Sequence, residues 1–176
     1  MDFSNYKTEL RRVLLLPDLP EPLTRASEHW QLFDNYIENT RLRLRYIRIP
    51  QTKEWRRSLQ QRFPADENDL LNWQTSEINF NEDEYAAFEP FEGREIRKNR
   101  YFFEADQRNY EIDVYIGNLW GLCLAKTYFD SESELRNFEK PGFAIADVSG
   151  DKFFLDENLV GKKFADVQQE WAAKAV

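Results

Sequence analysis

The chain has 176 residues, 24 of them basic and 32 acidic, which gives a net charge of −8. This length suits a single domain over residues 1–176, and the acidic balance argues against a general binder of nucleic acid or of membrane surfaces. One cysteine, Cys123, excludes an internal disulfide, and one histidine, His29, excludes a histidine metal cluster. Without an apolar run near the roughly 20 residues that span a bilayer, and with no signal-peptide pattern, we expect a cytoplasmic protein.

The first half of the chain contains two alternating segments. Residues 5–16 predict a strand that Pro17 ends, and residues 23–32 are expected to hold a short helix. Residues 36–49 predict a very regular strand, with leucines on one face and three arginines on the other. These arginines are Arg41, Arg43 and Arg45.

A row of guanidinium groups on one strand face indicates either of two arrangements. Like charges repel unless they are solvated or given an anion, and the planar fork of arginine fits phosphate oxygens. The row therefore indicates an anion site if it faces a wet interior. The alternative is that the leucine face is the core and the arginines coat the outside, and alternation alone leaves both open.

The middle of the chain predicts more strands and one capped helix. We expect a strand pair in residues 51–63, a loop or one helical turn in residues 65–71, and a strand in residues 73–80. Asn81 and Glu84 have the spacing of a capping box, which predicts a short helix that runs to Phe88 before Pro90.

Residues 94–129 consist of three alternating runs separated by turn-forming residues, which predicts a three-stranded antiparallel meander. In the first run Lys98 and Arg100 share a face with the apolar Ile96 and Phe102. Charges among inward apolar residues indicate a polar interior, as in a barrel that encloses a ligand. The alternative is an ordinary charged outer face.

The last part of the chain predicts a helix in residues 130–138, a strand in residues 143–149 and an amphipathic helix in residues 162–173. Together the segments amount to seven or eight antiparallel strands with about three short helices. The predicted fold class is mainly β (α+β), and a closed barrel would remove the exposed strand edges.

The order of these segments resembles the CYTH family, also called triphosphate tunnel metalloenzymes, over nearly the whole chain. Residues 96–101 (IRKNRY), 110–115 (YEIDVY) and 121–125 (GLCLA) are similar to the family patterns I-x-K-x-R-Y, W-E-I-D-x-F and G-L-x-x-A. Residues 34–36 (DNY), 41–43 (RLR) and 147–151 (DVSGD) resemble its D-x-Y, R-x-R and E-V-T-G-D segments. The resemblance implies an eight-stranded antiparallel tunnel in which Arg41, Arg43, Lys98 and Arg100 grip a triphosphate, while carboxylates hold Mg²⁺ or Mn²⁺.

Two segments depart from the family pattern at positions where it has acids. The first-strand motif E-x-E-x-K is here Glu9-Leu10-Arg11-Arg12-Val13, and A-E-x-E is here Ala125-Lys126-Thr127-Tyr128. Both changes replace a carboxylate by a cation, so a divalent metal would meet positive charge where it needs oxygen ligands. We therefore expect no metal site, with a shifted site at Glu9, Glu77 and Asp147 as the fallback.

The sequence thus predicts a CYTH-like tunnel that binds an anionic, phosphate-containing ligand such as a polyphosphate or a nucleotide, with no metal cofactor. The predicted ligand-binding residues are Arg11, Arg41, Arg43, Arg45, Lys98, Arg100 and Lys126. Whether the protein is an enzyme stays open. One alternative is a triphosphatase or cyclase-like enzyme that uses Mg²⁺ or Mn²⁺, and another is a structural or protein-interaction barrel whose charges pair across its interior.

Overall fold

A computed structural model describes residues 5–174, and these form nine strands and four short α-helices. The strands are β1 (Lys7–Leu16), β2 (Trp30–Tyr36), β3 (Leu42–Ile49), β4 (Glu54–Asp66), β5 (Asp69–Phe80), β6 (Glu95–Ala105), β7 (Arg108–Tyr115), β8 (Cys123–Phe129) and β9 (Ala146–Asp147). The helices are α1 (Glu82–Ala86), α2 (Glu132–Arg136), α3 (Asp156–Leu159) and α4 (Phe164–Lys174), with 3-10 turns at Glu89–Phe91, Gly117–Leu119 and Lys152–Phe154.

Eight of the strands close into an antiparallel barrel. Their order is β5-β4-β3-β2-β6-β7-β8-β1, and pairing between β1 and β5 completes the circle. With this closure each of the eight strands has a neighbour on both sides, although β1 and β5 pair only over a short stretch, and the two-residue strand β9 adds a short pairing to β1. The predicted fold class, an antiparallel eight-stranded barrel with short flanking helices, is confirmed.

Strand β1 changes partners along its length, and this creates an opening in the wall. It pairs with β5 from Lys7 to Leu10, and farther along it pairs with β9 at Leu14 and Leu15. Beyond Leu10 the strands β1 and β5 therefore diverge. The segment that follows β9 lines the space between them.

The C-terminal segment covers part of one end of the barrel with apolar side chains. Phe154, Leu159 and Val167 share a buried cluster with inward residues of the strands, such as Leu15 and Leu124. A second cluster covers the outer side of β1 and of the β6–β8 meander. The charged interior thus lies between an apolar plug and the open opposite end of the barrel.

Several local predictions are confirmed at their caps and turns. In α1 the side chain of Asn81 accepts from the backbone N–H of Glu84, and the Glu84 carboxylate accepts from the backbone N–H of Asn81. In α2 the Ser131 side chain accepts from the backbone N–H of Glu134. The turn between β6 and β7 places Asp106 and Gln107 at φ of 51° and 60°, which is the two-residue geometry favoured in hairpins.

Five predictions are wrong in their boundaries or type. The predicted strand at residues 36–49 joins the end of β2 to β3, which begins only at Leu42, and the predicted strand at residues 143–149 is reduced to β9. Residues 23–32 form no helix: they are mostly turn, and Trp30 already begins β2. Residues 51–63 lie largely within the single long strand β4 rather than a strand pair, and a tight hairpin replaces the predicted loop or helical turn at residues 65–71. β2 was hidden because its inward Asp34 and the following Asn35 look like turn residues in sequence.

Residues 1–4 and 175–176 of the predicted single domain lie outside the described part of the chain, and the single-domain assignment stays a prediction. None of the described helices has the length and apolar character needed to cross a bilayer.

Substitution of Gly121 tests how the C-terminal helix α4 packs on the barrel. Its φ is +109°, and a Cβ there would lie 2.7 Å from the ring of Phe164 at the start of α4. We expect Gly121→Ala to lower the free energy of unfolding by about 1–3 kcal/mol, measured by urea denaturation, because it adds both backbone strain and a clash. Gly142→Ala is the matched control, since a Cβ there meets nothing within 4 Å. Equal stability of the two variants would contradict this packing.

Candidate functional site

The inner wall of the barrel carries most of the buried charge of the protein. Six of the seven predicted ligand-binding cations are at most 7% exposed, namely Arg11, Arg43, Arg45, Lys98, Arg100 and Lys126. The seventh, Arg41, is exposed at the front mouth of the barrel, where its guanidinium lies 4.0 Å from the centroid of the Phe63 ring. The alternative in which the arginine face coats the outside is therefore wrong.

Asp34 on β2 neutralises one part of this charge. It lies opposite Arg45 in the β2–β3 register, and Arg45 donates to both of its carboxylate oxygens at 2.6 and 2.7 Å. Arg43 and Lys98 approach the same carboxylate at 3.6 and 3.8 Å. Burial alone would raise the pKa of Asp34, but Arg45 and Arg43 outweigh it and hold this pKa far below its ordinary value.

Asp113 on β7 has the same role on the other side of the barrel. It lies opposite Arg100 in the β6–β7 register and accepts from that guanidinium at 2.7 and 2.9 Å. The ammonium groups of Lys98 and Lys126 lie 3.0 and 3.2 Å from it. Burial opposes the charge of Asp113, yet Arg100 and Lys98 hold its pKa well below the usual range.

A third carboxylate enters the barrel from the C-terminal segment. Asp156, the first residue of α3, lies 2.5 Å from Lys98 and 3.8 Å from Lys126, and it accepts a hydrogen bond from the Tyr115 hydroxyl. Its pKa is well below the ordinary value because Lys98 and Lys126 outweigh the effect of burial. Asp156 thus completes the neutralisation of Lys98, which has no exposed surface.

The positive charge of Lys126 is less well compensated than the charges of the neighbouring cations. Burial, together with repulsion from Lys98, lowers the pKa of Lys126 to about 7, and Asp156 and Asp113 only partly offset this. A buried amine with this pKa exchanges its proton near neutral pH. Lys126 is therefore poised to respond to any additional negative charge brought beside it.

Arg11 forms no close ion pair with a carboxylate in the described part of the chain, and Glu9 and Asp156 act on it only from farther away. It is 5% exposed, no acid of the described residues comes within 4.0 Å of it, and its Nε has no hydrogen-bond acceptor. Its guanidinium instead lies 4.2 Å from the centroid of the Trp73 ring. Burial and the nearby Arg62 lower the pKa of Arg11 to about 10, and Tyr128, Glu9 and Asp156 only partly offset this.

Two cavities meet inside the barrel. The front cavity, of about 350 Å³, opens between the β2–β3 loop, the β4–β5 hairpin and residues 151–157, and Arg11 lines it. The rear cavity, of about 500 Å³, opens at the other end, past Glu9 and Glu77. Arg43, Arg62 and Lys126 line both cavities and separate them. These volumes lie in the range of small-molecule sites.

The three fallback metal ligands do not come together. Glu9 accepts from Arg62 at 2.8 Å, and Glu77 accepts from Gln60 at 2.7 Å. Asp147 lies on β9 and pairs with Arg12 on the other face of β1. In the described residues no group of three or more histidine, cysteine, aspartate or glutamate side chains is arranged to hold a metal ion.

The carboxylates on the inner wall are in any case poorly suited to a divalent cation. Such an ion needs several oxygen ligands free for coordination, whereas Asp34, Asp113 and Asp156 are each shared by two or more cations. As arranged, these three carboxylates do not offer the free oxygen ligands that the metal implied by the family resemblance needs. The expectation of a tunnel that works without a metal stays a prediction.

The sequence reasoning missed two residues of the site. Arg62 lies on β4, where Ser58, Gln60 and Arg62 alternate on the inward face, so a strand reading of this segment could have found it. Asp156 follows no periodic pattern, because it belongs to a short helix after an irregular segment. No signal in the sequence alone would place it beside Lys98.

Comparisons with known proteins agree with this architecture. No model of a known protein family matches the chain. Two structures of NE1496, one of them described as an inorganic triphosphatase, align with TM-scores of 0.57 and 0.58 at 22% identity, over 86% and 88% of this chain and 93% and 99% of the neighbour. The chain has the triphosphate-tunnel fold.

One curated relative shares part of the sequence of this tunnel protein. The inorganic triphosphatase of Acetivibrio thermocellus is 30% identical over 74 residues, which is 42% of this chain and 46% of the relative. The match thus spans about half the length of that relative.

Lys126 gives the tunnel a pH-dependent stability. Its pKa is about 7 in the folded state, below the ordinary value of about 10.4, so the unfolded chain holds a proton that the folded chain has released between these pH values. The folded state therefore gains stability as the pH rises across this window, by up to about 1.4 kcal/mol per pH unit. Lys126→Met should remove this gain in urea denaturation at pH 7 to 9.

The exposed Lys163→Met serves as the control and should keep the pH dependence of the unmodified protein. If Lys126→Met also keeps it, the ammonium of Lys126 is not held as described.

Proposed function

We propose that this tunnel protein binds a phosphate-containing anion in its front cavity, without a divalent metal. Arg11 is the principal anchor, and Arg43, Arg62 and Lys126 line the same space. One observation carries the proposal: among residues 5–174 no carboxylate comes within 4.0 Å of the buried cation Arg11, and its Nε has no hydrogen-bond acceptor. Leaving such a group unpaired is costly, and a phosphate oxygen would supply both the missing acceptor and the missing charge.

The charge balance of the barrel supports this proposal. Arg45, Lys98 and Arg100 are each held by carboxylates at 3.0 Å or less, so they have little charge left for a ligand. These three are better explained as parts of the wall than as ligand-binding residues. Anion binding then falls to Arg11 and to Arg43 and Lys126, because Arg43 meets Asp34 only at 3.6 Å and Lys126 is incompletely compensated. Arg62 is paired with Glu9 at 2.8 Å and contributes less.

The names of the relatives favour phosphate anhydrides as ligands. The Acetivibrio thermocellus relative and the structural neighbour NE1496 are both described as inorganic triphosphatases. A chain of phosphates and a cavity lined by several cations are complementary in charge. In this proposal Arg11 and Lys126 supply the positive charge that a metal ion would otherwise bring.

A metal-dependent triphosphatase is the second candidate, because both relatives are described as inorganic triphosphatases. It predicts release of phosphate from tripolyphosphate that requires Mn²⁺ and is lost in Glu9→Gln. Phosphate release with these properties would replace the metal-free proposal. If no such phosphate release is seen and tripolyphosphate still binds, the metal-free proposal is supported.

Isothermal titration with tripolyphosphate tests the proposal. We expect binding of equal strength with Mg²⁺ and with EDTA, and we expect Arg11→Met to weaken it by about 30-fold or more, because a charge-assisted hydrogen bond contributes about 2 kcal/mol. Arg48→Met is the matched control, since Arg48 is an exposed arginine that lines neither cavity. Absence of binding in both buffers, or equal binding by the two variants, would overturn the proposal.

A further inference from the structure

The charges on the inner wall of the tunnel do not balance. The wall carries seven cations, which are the six buried ones of the site together with Arg62. Among the described residues their ion pairs engage five carboxylates, namely Glu9, Asp34, Glu111, Asp113 and Asp156. Seven positive charges therefore face five negative ones, and charge buried without a counter-charge is destabilising.

The other charged side chains in the walls of the two cavities do not correct this excess. Asp151 pairs with Lys174, and the remaining ones are exposed, so water and salt screen them. The interior is neutral only if it takes up negative charge or gives up positive charge.

Lys126 is the inner cation that gives up its proton most readily, because it shares both of its carboxylates with Lys98. Lys98 lies 3.0 Å from Asp113 and 2.5 Å from Asp156. Lys126 lies 3.2 and 3.8 Å from the same two groups, and Glu111, which is opposite Lys126 in the β7–β8 register, pairs with an arginine instead. With its pKa lowered to about 7, the amine is partly unprotonated at neutral pH, and an unprotonated amine is a nucleophile.

The two cavities give a small reagent access to this amine. Lys126 lines both of them, although its side chain is otherwise buried. Carbon dioxide is small and uncharged, so it loses little hydration when it enters the front cavity past apolar side chains such as Leu70 and Trp73. It also reacts with unprotonated amines in water without a catalyst.

We infer that dissolved CO₂ carbamylates Lys126 when no other anion occupies the tunnel. The lone pair of Nζ attacks the carbon of CO₂, an N–C bond forms, and one pair of C–O π electrons moves onto an oxygen. The nitrogen then releases a proton to water in the cavities, which leaves a carbamate with a charge of −1. Relative to the ammonium form, Lys126 changes from a cation to an anion, so that six positive charges face six negative ones.

The carboxylates beside Lys126 remain satisfied after this reaction. The carbamate nitrogen keeps one hydrogen, which can still be donated to Asp113, the present acceptor of Lys126 at 3.2 Å. The new carboxylate lies on the other side of that nitrogen. Asp113 and Asp156 keep Lys98 as their counter-ion.

Arg11 provides the partner that the new carboxylate needs. In the β1–β8 register Lys126 is opposite Val13, and Arg11 lies two residues earlier on the same inward face, so the two long side chains are diagonal neighbours. The Nε of Arg11 has no hydrogen-bond acceptor, and a carbamate oxygen would supply both an acceptor and a counter-charge. This contact requires no phosphate ligand, and the proposed ligand would compete with it.

Chemical trapping tests the modification. The full chain is incubated with isotopically labelled bicarbonate in phosphate-free buffer at about pH 8, which is above the pKa of Lys126. Triethyloxonium ion then converts carbamates into stable ethyl esters, and peptide mass spectrometry locates the label. We expect the ester on Lys126 and none on the exposed Lys163. A glycine peptide in the same solution verifies trapping, and an untrapped Lys126 beside a trapped peptide would overturn the inference.

Arg11 variants test where the carbamate is held. Arg11→Met should lower the trapped fraction of Lys126 by about tenfold or more, because a charge-assisted hydrogen bond is lost, and Arg11→Lys should recover much of it. Arg48→Met is the matched control, since Arg48 is exposed and lines neither cavity. Equal trapping in Arg11→Met and Arg48→Met would overturn the placement. No phosphate is present, so these outcomes are independent of the tripolyphosphate titration.

Discussion

The structure depends on one electrostatic constraint, which is that every charge inside a closed barrel needs a counter-charge. The antiparallel register supplies a counter-charge in two places, by placing Arg45 opposite Asp34 and Arg100 opposite Asp113. The C-terminal segment supplies one more by inserting Asp156 beside Lys98. Because buried ions without partners are strongly destabilising, these contacts hold the strands and the C-terminal segment in one arrangement.

This arrangement divides the inner cations into two groups. The paired group belongs to the wall, where its cations pair with carboxylates on neighbouring strands and with Asp156. Arg11 is the exception, since it faces a cavity without an acid within 4.0 Å in the described residues, and Lys126 is only partly compensated. The tunnel therefore combines a self-neutralised wall with a small region of unmatched positive charge.

Much of the fold could be predicted from the sequence, because alternation in β1, β3 and the β6–β8 meander reports directly which side chains share a face. Which face was inward could not be decided from alternation, and the resemblance to a known family supplied that choice. β2 was missed because an acid such as Asp34 is not expected in a buried strand. Its partner Arg45 comes beside it only when β2 and β3 pair. Whether a cation belongs to the wall or to the site depends on whether a carboxylate pairs with it. Such pairing depends on contacts like that of Lys98 with Asp156, which are 58 residues apart in the chain.

The most direct test of the central claim is to locate a bound anion by anomalous diffraction from crystals soaked in tungstate, a tetrahedral oxyanion with a heavy atom. The account predicts a peak in the front cavity, within hydrogen-bonding distance of the Arg11 guanidinium, in crystals of the unmodified protein and its loss in Arg11→Met. A peak held instead by Lys98 and Arg100, or no peak inside the barrel, would contradict the account.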